Sequence, residues 1–205
     1  VLLPTPGFPN MDETVHLLGG KPVFYELERN DGYLPDPDRI ASLVTPRTKA
    51  MFLNTPNNPT GAVIPPERIE AILSAASERG IWVISDEVYD QLILDDGLPY
   101  LSPGSVDTSA PVISVYSFSK VYAMTGWRVG YLVAPPALAQ ILRTLQEPQV
   151  SCPSTISQKA AEAALTGPRE PIEAMRLAYI ENRDFAWSRI LDLGLEGFRT
   201  QGTFY

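Results

Sequence analysis

Short apolar runs alternate with segments of helical period along most of the chain. Residues 22–27 (PVFYEL) read as a short strand, 37–44 as a short helix and 49–53 (KAMFL) as a buried strand. The opening 4–9 is loop-like, and a polar loop, 54–61, follows the second strand. Ile69, Ile72, Leu73 and Ala76 then recur at helical spacing, with Pro66 suited to a first turn and Gly80 to a stop, which predicts a helix between them. Residues 81–84 (IWVI) and 112–115 are compact apolar runs without alternation, the pattern of strands covered on both faces. A further strand, 129–133, precedes a helical stretch at 136–145, and 154–165 and 168–193 keep helical period to near the end. Strands and helices in this succession predict an α/β fold: a three-layer αβα domain with a mostly parallel sheet over 1–175. The connecting helix and the start of an α+β small domain would fill 176–205.

Composition narrows the function. With 16 basic and 24 acidic residues in 205, the net charge of −8 repels polyanions, so neither nucleic acid nor anionic membrane is an expected partner. No run is apolar for long enough to span a bilayer and the start lacks a signal-peptide pattern, so a cytoplasmic protein is expected. One cysteine, Cys152, and one histidine, His16, exclude an internal disulfide and the common zinc sites. Only four lysines are present, and Lys120 stands in an unusual context.

Polar residues gather just past three of the predicted strands, where parallel sheets bind ligands. Lys120 follows Ser117 and Ser119, with Arg128 eight positions on. A desolvated lysine can attack a carbonyl, and two hydroxyls with a guanidinium fork suit an oxyanion or phosphate. Equally, Lys120 could reach solvent and Arg128 cap a strand. Asp86 ends an apolar strand and needs a cationic or N–H partner, which a protonated pyridine would supply, although an aspartate there is also an ordinary helix N-cap. In Asn54-Thr55-Pro56-Asn57-Asn58-Pro59-Thr60-Gly61 the prolines and glycine fix a turn that projects an amide, or simply a turn. The coincidence of all three at strand ends is what points to a site.

The stretches PNNPTG (56–61), SDEVY (85–89), SFSK (117–120) and GWRVGY (126–131), in this order and at these distances, resemble the class I/II aminotransferases, the fold type I enzymes that use pyridoxal 5′-phosphate. The resemblance covers nearly the whole chain, and PGFPN (6–10) and the closing GTFY also match. It implies that Lys120 forms the Schiff base and Asp86 pairs with the pyridine nitrogen. Asn58 and Tyr89 would bond the ring's phenolic oxygen, Ser117 and Arg128 would hold the phosphate with Ser119 as a further contact, and Phe8 would stack on the ring. Lys120, Asp86 and Tyr89 are thus the implied catalytic residues. His16 is read as solvated or structural.

The same resemblance implies an L-amino acid and a 2-oxo acid as substrates and a homodimer whose sites are completed across the subunit boundary. It also implies that the chain is an internal piece: family members carry a phosphate-binding glycine turn before the position of Val1, and most of a small domain with a carboxylate-clamping arginine beyond Tyr205. The isolated segment is not expected to be active. Where the aspartate-specific branch has an arginine, Glu147 and Pro148 stand here, with Arg143 nearby, which points away from dicarboxylate substrates. A C–S β-lyase of the same fold and a non-catalytic cofactor-binding sensor domain are the competing readings.

Overall fold

The computed structural model describes residues 1–205. Six strands form one sheet in the order β2-β1-β3-β4-β5-β6: β1 (Leu2–Thr5), β2 (Val23–Glu26), β3 (Ala50–Asn54), β4 (Trp82–Asp86), β5 (Val112–Ser117) and β6 (Gly130–Val133). All neighbours are parallel except β5 and β6. Seven α-helices accompany them: α1 (Asn10–Leu17), α2 (Pro37–Leu43), α3 (Pro66–Arg79), α4 (Phe118–Val121), α5 (Pro136–Val150), α6 (Thr155–Thr166) and α7 (Glu170–Asp192). None is long and apolar enough to cross a membrane.

The main core lies between the sheet and α2 with α3. Ile69, Ile72, Leu73 and Ala76 of α3 meet Leu2, Met51, Leu53 and Val83 of the strands, all of them buried. Helix α3 ends where Gly80 turns left-handed at φ 62°, and its N–H closes the last turn on Ser77 O. Two smaller clusters seat the later helices. Ile172 of α7 packs on Tyr89, Leu92 and Val121, and Ala161 of α6 packs on Phe118 and Val129.

Several sequence expectations need correction. The opening is not all loop: residues 2–5 form β1, and Pro4 is tolerated because β1 meets β3 only at Leu2↔Met51, leaving no ladder bond for Pro4 to spoil. Helix α1, which buries no residue, was not predicted. Neither strand expected to be covered on both faces is so: β4 buries Val83 and Ser85 while Trp82, Ile84 and Asp86 on its other face are half-buried, β5 buries only Ser114 fully, and α5 has no buried residue. Lys120 is not at a strand end but in the single turn α4.

Candidate active site

Strands β1, β3, β4 and β5 end on one edge of the sheet and antiparallel β6 starts there, so Phe8, Asn58, Asp86, Ser117 and Arg128 all issue from the same edge. At its centre Asn54 and Asp86, the last residues of β3 and β4, are register partners. Asn54 organises both strands: its Nδ2 donates to Asp86 O at 3.1 Å and its Oδ1 accepts the Asn58 N–H at 2.6 Å. One buried amide thus fixes the height of the acid and the position of the loop that carries Asn58. Sequence reasoning gave Asn54 no role; its placement as a polar residue ending an apolar strand was the available signal.

Asp86 Oδ1 accepts the Val88 N–H at 3.2 Å, an Asx turn in place of the expected helix cap, because residues 88–90 form a turn. Burial, reinforced by the neighbouring Glu87 carboxylate, raises its pKa to about 6 against the opposing pull of the Val88 N–H and Lys120. No cationic side chain pairs with it, so Asp86 is a desolvated carboxylate awaiting a counter-charge.

Lys120 reaches the same edge from α4. Its Nζ lies 5.8 Å from the Tyr89 ring centre and 5.5 Å from that of Phe204, a cation held over aromatic faces without a carboxylate partner. Tyr89 is buried, and its OH shares a hydrogen with Tyr205 OH at 3.1 Å, while Asn58 Nδ2 donates to that same Tyr205 OH at 3.3 Å. Burial, then Tyr205, pushes the Tyr89 phenol up. Asn58 and Tyr89 therefore converge on one phenolic oxygen.

Phe204 and Tyr205 are brought in by stitches between the last residues and the loops after β3 and β4. Gly202 N donates to Gly61 O at 2.9 Å and Thr203 N to Leu92 O at 2.9 Å. Gly61 must lack a side chain, since its φ is 71° and an added Cβ would lie 2.6 Å from Thr200 Cβ. The closing GTFY was the sequence signal for these two aromatics, without a role attached.

Ser117 Oγ accepts the Ser119 N–H at 3.1 Å and opens α4. Arg128, held left-handed at φ 50°, donates from Nη1 to Thr125 O at 2.9 Å and leaves its guanidinium exposed. Gly130 allows β6 to close on β5, where an added Cβ would meet Tyr116 O at 2.5 Å, and the Phe118 N–H bonds Val129 O at 3.2 Å. Ser117, Ser119 and Arg128 thus share one end of the β5/β6 pair. Phe8 is 40 % exposed beyond the end of β1, in a cleft with Pro4, Met11, Phe24 and Phe52.

Comparison with known proteins finds relatives over the whole of this chain. The aromatic-amino-acid aminotransferase 2 of Thermococcus litoralis is 38% identical over 100% of this chain and 53% of its own length. The aspartate/prephenate aminotransferase of Thermus thermophilus is 37% identical, again over 100% of this chain and 53% of the relative. Among solved structures, a double mutant of Thermus thermophilus aspartate aminotransferase superposes with a TM-score of 0.94 at 36% identity, over 98% of this chain and 53% of that one. The chain spans about half the length of the curated relatives it matches. The family model for aminotransferase class I and II matches residues 1–205, and with motifs, sheet and relatives in agreement over that whole span, the chain belongs to this family.

Proposed function

We propose that this chain is the cofactor-holding part of a pyridoxal 5′-phosphate-dependent aminotransferase that moves the amino group of an L-amino acid to a 2-oxo acid. The observation that carries this is Asp86, a half-buried, desolvated carboxylate with no cationic side chain on it, on the edge where an unpaired lysine amine also lies. A second observation tests the fit: Asn58 and Tyr89 already converge on a phenol oxygen, that of Tyr205, the same demand that the phenolic oxygen of the cofactor makes. When bound, pyridoxal phosphate supplies an aldehyde and an electron-accepting ring.

Asp86 would pair with a protonated ring nitrogen. Asn58 and Tyr89 would hold the phenolic oxygen, while Ser117, Ser119 and Arg128 would offer hydroxyls and a guanidinium fork to a phosphate. Phe8 belongs to this reading as an aromatic face at the end of β1. Lys120 would supply the amine that the aldehyde takes, and its Nζ would serve as general base and then acid for the proton on the substrate Cα.

Relatives named for aspartate, prephenate and aromatic amino acids support an amino acid and a 2-oxo acid as the substrates, without choosing among them. A homodimer fits the exposed apolar residues Tyr131, Leu132 and Val133 of β6 and Ile141, Leu145 and Val150 of α5, which nothing in the chain covers. The proposed division into 1–175 and 176–205 rests on α7 running on past Met175 to the exposed Phe185 and Leu191, while Tyr179, Arg183 and residues 200–203 still pack on the first part. A cytoplasmic setting accords with the exposed free thiol of Cys152.

The test is a half-reaction with the full-length protein loaded with pyridoxal phosphate. Adding an amino acid should give one equivalent of its 2-oxo acid and leave pyridoxamine phosphate, with no ammonia. Catalytic release of pyruvate and ammonia from a cysteine conjugate would instead make it a lyase.

A further inference from the structure

Behind the site, on the opposite face of the sheet, lies a carboxylate that the reaction does not use. Glu87 follows Asp86, and the two-residue period of the strand sends their side chains to opposite faces. Glu87 is fully buried. Its Oε2 accepts Tyr100 OH at 2.7 Å and Tyr116 OH at 3.1 Å, and its Oε1 has no partner. Neither oxygen meets a cation. A buried carboxylate with half its acceptor capacity unmatched is an expensive way to hold strands together, and an amide or an apolar side chain of the same size would serve packing better.

What the carboxylate does reach is the machinery of the site. Tyr116 immediately precedes Ser117, and its ring stacks on Tyr131 of β6, with centres 4.8 Å apart and planes 18° from parallel. The Glu87 N–H bonds Val115 O at 2.9 Å. One residue thus ties the end of β4, which bears Asp86, to the end of β5, which leads to Lys120, and through the stack to the strand that Arg128 enters. It also brings a second carboxylate beside Asp86 in a dry setting, where like charges are felt strongly. Asp90, in the following turn, is held up to about 6 by burial and by the same Glu87.

We propose that Glu87 is a positioning residue acting from beneath the sheet, its negative charge adding to that of Asp86 so that the cationic ring atom paired with Asp86 is held more firmly. The inference rests on the proposed cofactor reading. The test measures, in the full-length protein, the affinity for pyridoxal phosphate and for its analogue with CH in place of the ring nitrogen. Glu87→Gln should weaken pyridoxal phosphate about tenfold and change the analogue by less than about twofold. Glu87→Asp should keep the wild-type preference, and should the glutamine variant not fold, Glu87→Met carries the same test. Equal weakening of both ligands, or of neither, overturns the proposal, since a purely structural role cannot tell them apart. If the wild type itself shows no preference between the two ligands, the reading of Asp86 fails first and this proposal with it.

Discussion

Asp86 titrates where its charge can be followed directly. With the folded-state pKa at about 6 and an unfolded value near 3.9, the folded protein binds this proton more tightly than the unfolded chain. The resulting stabilisation is present below the unfolded value and is lost as pH rises through about 6. Asp86→Asn, which cannot ionise, should therefore be more stable than the cofactor-free wild type above about pH 6, by on the order of 2 kcal/mol, with the gap closing towards pH 4 in urea titrations. Saturating pyridoxal phosphate should reverse the order. Asn54→Ala should strip the Asn58 N–H of its partner and leave Asp86 O with the Thr55 N–H alone. The expected cost is about 1–3 kcal/mol of stability together with weaker cofactor binding. The aligned motifs made Asp86, Asn58, Tyr89 and Lys120 legible in the sequence. Asn54, Glu87 and Tyr205 were not, because what they do depends on bonds to residues 4 to 147 positions away.

Element boundaries followed their local chemistry wherever that chemistry was strong. Helix α3 starts and stops at the proline and glycine that mark it, and β3 and β4 occupy their apolar runs. Strand β1 and helix α1 were illegible for a shared reason: the prolines of residues 4–9 make the opening read as loop, disguising the strand and the short exposed helix that follows directly on it. The antiparallel direction of β6 could not be read either, since pairing direction depends on how the chain turns at Arg128 rather than on the apolar run itself. At this scale, Gly61→Ala should cost about 2–4 kcal/mol, because a left-handed backbone and a blocked close approach act together. Pyridoxal phosphate binding should fall in parallel, as the loop bearing Asn58 loses its seat on residues 200–203. Leu73→Ala, which opens a void in the main core far from the site, should cost about 2–5 kcal/mol while leaving cofactor affinity per folded molecule unchanged.

On the scale of the whole molecule, the sheet gathers the C-terminal ends of β1 to β5 and the start of β6 at one end and leaves apolar residues of β6 and α5 exposed. Exposed apolar residues on a strand and helix that are consecutive in sequence are the mark of a surface that another chain or chain segment covers. Sedimentation of the full-length protein should give twice the chain mass, and Leu145→Glu together with Leu132→Glu should shift it towards the single chain; a monomeric wild type would contradict the dimer.

The central claim is that Lys120 and Asp86 serve one cofactor, and borohydride reduction of the full-length protein in pyridoxal phosphate tests it most directly, with peptide mass analysis to locate the adduct. The account predicts one stable phosphopyridoxyl group per chain on Lys120, absent in Lys120→Ala. An adduct spread over Lys21, Lys49 and Lys159, or none at all, would contradict it.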